Sequence, residues 1–288
     1  MGSVVSVVGK RRRWVRGVAC CLVMGALASC GGGEGKVYEG LVERTPSEPP
    51  KPADEVRGER LSGEAMELLR DADTLRISAE ITGPGKHQKI SVHMDRHNRC
   101  TGTFDDGPTK SGDIVMISAK EAYFRFSGEA LDAIRAAGEA SGRPEAAAKA
   151  RERTALARGK YMRIPTERRA PGGASPAQMC DLGTALGDLD GGSLTDLSGT
   201  RALPERQWHG RRVTPLEAKD GGNDMTVYLA TGDKPYLVGM TQTKDGVRME
   251  MEMSDYDKPV VARAPDPSLV LDLTDIGLGG GGDSLFAV

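Results

Sequence analysis

Five cysteines and four histidines hold most of the reactive side-chain chemistry in this chain of 288 residues. Cys20, Cys21 and Cys30 lie near the start, while Cys100 and Cys180 stand apart in the interior. A thiol can act as a nucleophile, ligate a metal, pair as a disulfide or rest in a core. His93, His97 and Cys100 invite a metal reading, because imidazole and thiolate are zinc ligands. On an extended strand the two histidines would stand about 13 Å apart, so they converge only if the chain turns within "RHNR". The expectation is solvated histidines at a strand end and no metal site. His209 follows Trp208 in a strand-like stretch and reads as structural. No Gly-x-Ser-x-Gly, His-Glu-x-x-His, Ser-x-x-Lys or Cys-x-x-Cys pattern occurs, and "KSG" and "SDY" have no Ser-x-x-Lys nucleophile to accompany them. The sequence therefore offers no catalytic residue and no cofactor, and it does not read as an enzyme.

Cys30 has a more definite context. A basic block (Lys10, Arg11, Arg12, Arg13, Arg16) precedes the uncharged run "VACCLVMGAL". A membrane-spanning helix needs ~20 apolar residues, so this run is too short to span. Basic, then short apolar, then small residues is the layout of a secretory signal. Leu27-Ala28-Ser29-Cys30 resembles the bacterial lipobox. That resemblance implies cleavage before Cys30 and a diacylglycerol thioether on its sulfur, with palmitate-class acyl chains. The alternative is a secreted protein with a stray cysteine. "MGSVVS" fits a myristoylation pattern, but that pattern requires a cytoplasmic N-terminus. "RRRWVRG" loosely resembles a twin-arginine signal and leaves the export route open. The expected location is the outer face of the cell membrane, attached through the lipid.

Processing would remove Cys20 and Cys21 and consume Cys30. Cys100 and Cys180 remain, and in an oxidising compartment they are expected to pair. The alternative is two buried thiols packed as small hydrophobes. Of 39 basic and 41 acidic residues, five basic and no acidic ones precede Cys30, leaving 34 against 41 and a net charge near −7. No basic stripe remains to neutralise phosphates, so nucleic acid is not an expected partner.

The organisation follows from composition and period. Residues 1–29 read as the signal and 30–58 as a lipidated Gly- and Pro-rich tether, with a domain at 59–275 and a Gly-rich tail at 276–288. "LSGEAMELLRDAD" has helical spacing, with Ser62 a candidate N-cap. "TLRISAEI" and "KISVHM" alternate as strands about a "GPG" turn, and "CTGTF", "DIVMIS" and "AYFRF" continue them. An alanine-rich helical region at 128–158 breaks at Gly142-Arg143-Pro144. "KYMRIP" is a short strand. "SPAQMCDLGTALGDLD" opens with the capping pair Ser175-Pro176 and carries an apolar stripe of Met179, Leu182, Leu186 and Leu189. The remainder is mostly strands, "MTVYLAT", "PYLVGMTQT" and "VRMEMEMS" among them. These patterns give an α+β chain of roughly ten antiparallel strands whose apolar face needs helices to cover it. Few aromatics are present, so that face is built from Leu, Met, Ile, Val and Ala.

The order of lipobox, tether, helix, strand meander, helices and closing strands resembles the actinobacterial LppX/LprAFG lipoproteins, which are similar in fold to the LolA/LolB carriers. "TLRISAEI", "NRCTGTF" and "MEMEMSDYDKPVVARAPDPSLVLDL" carry the resemblance, which covers about residues 60 to 273. It implies a curved antiparallel sheet, a half-barrel, with α-helices over its concave face. It also implies a hydrophobic, lipid-like ligand bound or shuttled there by residues that the sequence does not identify. The alternative is a tethered interaction or sensor module with a filled core and an envelope protein partner. The alanine-rich region and the Cys100/Cys180 pair depart from the family pattern. The anchor makes a direct prediction. Cys30→Ala should release the protein from membranes or leave an unprocessed precursor on an immunoblot of fractionated cells. A mature-sized product that stays on the membrane would contradict lipidation at Cys30.

Overall fold

The computed structural model describes residues 50–164, 166, 176–190, 199–220 and 223–272. Cys30, the stretch read as tether up to residue 49, Ser175, the Leu189 side chain and the tail lie outside the described set. Helix α1 (Ala53–Asp71) leads into five antiparallel strands, β1 (Thr74–Gly83), β2 (Lys86–Asp95), β3 (Cys100–Asp105), β4 (Ser111–Ser118) and β5 (Glu121–Phe126). Helices α2 (Gly128–Ala140) and α3 (Pro144–Ala157) follow, then β6 (Tyr161–Ile164), α4 (Pro176–Met179) and α5 (Leu182–Asp190). The second run of strands is β7 (Arg201–Ala202), β8 (Arg206–Trp208), β9 (Arg211–Asp220), β10 (Asn223–Ala230), β11 (Leu237–Lys244) and β12 (Val247–Ser254). A 3-10 turn at Pro267–Leu269 precedes β13 (Val270–Asp272).

All the strands join one open sheet in the order β13-β6-β5-β4-β3-β2-β1-β12-β11-β10-β9-β7, with β8 paired to β9 off this path. The fold is α+β, a curved and predominantly antiparallel half-barrel with helices over one face. The β1–β12 pairing welds the two meanders, from Arg76↔Ser254 to Thr82↔Arg248. Two glycines on the inner rows sit hard against a neighbouring strand. A Cβ on Gly102 would overlap the Ser91 carbonyl, and one on Gly112 the Arg125 carbonyl. Both positions face the helices, so the neighbouring strands fold inward over them and only glycine leaves the room.

Two elements differ from their expected form. Helix α1 begins at Ala53, inside the Pro-rich stretch, not near Ser62. The Pro52 carbonyl accepts the N–H groups of Glu55 and Val56, and Asp54 and Glu55 favour the positive end of the helix. Ser62 is a buried interior residue whose hydroxyl donates to the Glu59 carbonyl at 2.9 Å. The segment around Cys180 is two short helices, with Cys180 at the elbow between them. The break at 142–144 falls as expected, and α2 and α3 form a hairpin packed through small residues at Gly138 and Ala150.

Side chains alternate along each strand, so the sheet has an inner, helix-covered face and an outer face. Over β1–β5 the outer face is largely polar and carries charge pairs such as Arg125 with Asp113. The chain leaving β12 is fixed to this face. Arg76 Nε donates to Asp255 Oδ2 at 2.7 Å, and Thr74 Oγ1 donates to the Lys258 carbonyl at 2.6 Å. From there it reaches the far edge, where β13 pairs parallel with β6 and Lys160 Nζ donates to the Ser268 carbonyl at 2.7 Å. His93 faces outward yet is only 5 % exposed.

These contacts set a pH dependence. Burial, reinforced by nearby Arg76, pushes the His93 imidazole below its ordinary 6.5. The Arg76 and Lys258 hydrogen bonds hold the Asp255 carboxyl down at about 2. Burial raises the Asp95 carboxyl, but the backbone N–H groups of Arg99 and His97 and the Arg99 side chain outweigh it and leave it lowered. A base kept neutral by folding penalises the fold once the unfolded chain takes up a proton, which begins as pH falls through 6.5. A depressed carboxylate contributes stability above 3.8, and that contribution is lost as pH falls toward about 2. The urea midpoint should therefore drop between about pH 7.5 and 5.5 and again below about pH 4. Arg76→Met should shrink the second drop. A midpoint that is flat from about pH 7.5 to 5.5 would contradict a neutral, buried His93.

Candidate functional site

The inner face is a set of rows running across the strands. The row Leu75–Met94–Cys100–Met116–Ala122 is sealed, with no member more than 4 % exposed. The next row, Met253–Ile77–Val92–Gly102–Ile114–Phe124–Met162, is nearly as closed, with Ile77 and Gly102 its partly exposed members. In the third, Leu216–Val227–Met240–Met251–Ala79–Ile90–Phe104–Gly112–Phe126, the Leu216 and Phe126 ends are buried. Met251, Ala79, Ile90 and Phe104 in its middle are only half-buried. The last row, Met225–Gln242–Met249–Ile81–Gln88, opens further and ends at exposed Gln88. Met249, Met251, Ala79, Ile81 and Ile90 thus form a half-open apolar patch on β12, β1 and β2, at the centre of the sheet.

Helices seal the flanks. Leu61, Ala65, Met66 and Leu69 of α1 and Leu182, Ala185 and Leu186 of α5 belong to the main core, while Ala130, Leu131 and Ile134 of α2 cover Phe124, Phe126 and Met162. Cys100 and Cys180 form a disulfide with Cα atoms 5.4 Å apart, inside the usual range for such bridges. It fastens the α4–α5 elbow to β3 at the sealed end. From the helical stripe, Leu182 and Leu186 are buried and Met179 is partly buried against the same core. They pack into the main core together with the strand rows.

The patch can hold an uncharged, flexible guest. Among the described side chains no Asp, Glu, Lys, Arg or His lies on the four rows. The polar members are Gln242 and Gln88, and Gln88 Nε2 donates to Asp106 Oδ1 at 2.6 Å. Met225, Met240, Met249, Met251 and Met253 sit on three adjacent strands, and their unbranched thioethers adapt to irregular apolar shapes. An ion would lose its hydration here without a partner, whereas methylene groups would gain.

The histidines are placed elsewhere. His93 is buried on the outer face, and His97 lies in the turn after β2, its N–H donating to Asp95 Oδ1 at 2.8 Å. With Cys100 in the disulfide, these three do not form a metal cluster. His209 is not a strand residue. It occupies the tip of the β8–β9 turn at a φ of 47°, with its ring against Glu250 and Glu252. Among the described residues no helix is long and apolar enough to cross a membrane.

No protein-family model matches the chain, and no curated protein does. Solved structures do resemble it. LprF from Mycobacterium bovis aligns over 73 % of this chain and 97 % of its own, at 10 % identity and a TM-score of 0.46. The Mycobacterium tuberculosis lipoprotein LppX aligns over 71 % of this chain and 99 % of its own, at 11 % identity and a TM-score of 0.42. The Pseudomonas aeruginosa MucA/MucB complex contains a chain aligning over 73 % of this one and 61 % of its own, at 10 % identity and a TM-score of 0.32.

The difference between sealed and open rows is testable by overpacking. Met94→Phe and Met116→Phe should each cost about 1–3 kcal/mol in urea unfolding, because their neighbours cannot move aside. Ile81→Phe and Met251→Phe should cost less than about 0.5 kcal/mol, because the added ring has open space. Equal costs in the two pairs would mean that the inner face is one filled core.

Proposed function

We propose that the protein is an envelope lipoprotein, held to the outer face of the membrane by acylated Cys30, that binds an apolar, acyl-chain-bearing ligand and carries or presents it there. The observation that carries this reading is the half-open patch of Met249, Met251, Ala79, Ile81 and Ile90, apolar and bounded by sealed rows. Ligand pockets are mostly apolar with a few polar groups at their margin, which is how Gln88 and Gln242 are placed. Energetics favour an alkyl chain. Each buried methylene contributes about 0.8 kcal/mol, so ten would supply about 8 kcal/mol, enough to offset much of the cost of association. A charged headgroup has no counter-charge on the rows and stays at the rim, in water. A lipid on Cys30 would bring the domain beside such ligands, and the absence of a catalytic pattern in the sequence favours binding over turnover.

Mass spectrometry of organic extracts from the purified protein tests the reading. The wild type should yield an acyl-chain-bearing molecule at close to one equivalent, and Met251→Trp should yield severalfold less at an unchanged melting temperature. Extracts without lipid, from protein expressed in a lipid-rich envelope, would contradict it and favour a module whose open patch takes a protein partner.

A further inference from the structure

The β8–β9 hairpin does not lie flat beside its neighbours. It folds over the outer face so that Trp208 rests on β11 and His209 reaches β12. Gly239 makes this possible, since a Cβ there would overlap both the Trp208 ring and the Met251 carbonyl. The indole stacks on Tyr228 with ring centroids 4.4 Å apart and planes 12° from parallel. His209 and Gly210 follow at φ of 47° and 75°, the left-handed pair of a two-residue hairpin turn. The docked indole and the tight turn leave the imidazole little freedom.

Beneath the imidazole, Glu250 and Glu252 stand on the same face of β12, two residues apart. His209 Nε2 lies 2.9 Å from Glu250 Oε1, and Nδ1 lies against Glu252 Oε1. The second oxygen of Glu250 is held by Arg248 Nη2 at 2.6 Å, which orients the carboxylate and leaves Oε1 turned to the imidazole. Glu80 stands opposite Glu250 on β1 and adds negative charge to the neighbourhood. One nitrogen and two carboxylate oxygens lie within 4.8 Å of one another, close enough to share one ion.

We infer that His209, Glu250 and Glu252 form a site for a divalent transition-metal ion of the zinc class, which ties the β8–β9 hairpin to β12. The donor set is borderline, and the two carboxylates balance a divalent charge. His209 is 44 % exposed, so the ion is reached from solvent and keeps water on its remaining positions. Without the ion the imidazole stands between the two carboxylates.

The test uses the full chain and zinc chloride as the probe. His209→Asn removes the imidazole while keeping a residue type that tolerates positive φ. Glu250→Gln with Glu252→Gln removes the carboxylates. His87→Asn is the control, because His87 pairs with Glu80 on the same face at 4.0 Å without a third ligand. Calorimetry should show one zinc equivalent that both site variants weaken at least about tenfold and the control leaves unchanged. Zinc should also raise the melting temperature of the wild type and the control but of neither site variant. Zinc binding by His209→Asn at wild-type strength, or no zinc-dependent heat or melting shift in the wild type at about 1 mM zinc, would overturn the assignment.

Discussion

A twisted sheet whose side chains alternate between two faces must cover the apolar one, and here the middle of that face is only half-buried. The residues from Leu75 to Ile81 and from Gln88 to Met94 point uncharged groups inward along the full length of β1 and β2. Helix α1, the α2–α3 hairpin and the α4–α5 elbow reach the flanks and the sealed end. The centre, where β12 joins β1, is left half-covered. Everything proposed about a ligand rests on that half-covered centre.

The devices that hold the fold stand at the margins of the patch and leave it clear. The disulfide fixes the α4–α5 elbow over β3, with both cysteines fully buried. A bridge closing a loop of 80 residues contributes roughly 4 kcal/mol on the chain-entropy model. On the outer face the segment after β12 is pinned through Arg76, Thr74 and Asp255, while the β8–β9 hairpin is pinned by its indole in the Gly239 notch. Both fastenings brace the strands from outside, so the inner rows can stay apolar and partly open without the sheet relying on them for rigidity.

Much of this could be read from residue order. The alternation of Leu75, Ile77, Ala79 and Ile81, the turn at Gly85 and the break before Pro144 each rest on local physics, and each falls where expected. The start of α1 did not, because Pro49, Pro50 and Pro52 look like tether, whereas the last of them supplies the carbonyl that opens the helix. The parallel β13–β6 pair was also illegible, since three residues far from their partner in sequence carry no signal of pairing. The candidate patch could not be separated from the core at all. Met251 and Met253 sit two apart on one strand with the same chemistry, yet one is half-buried and the other fully buried. The strand expected at His209 is a turn instead, and its contacts to β12 are long-range and depend on a missing Cβ at Gly239.

The central claim is that the half-open patch, and not the sealed core or the outer face, is where an acyl chain lies. A diazirine-bearing fatty acid, irradiated on the full-length protein and mapped by peptide mass spectrometry, tests it most directly. The account predicts labels concentrated on the peptides holding Ile81, Ile90, Met249 and Met251, and competed away by unlabelled fatty acid. Labels spread over the outer face, or none that unlabelled fatty acid displaces, would contradict it.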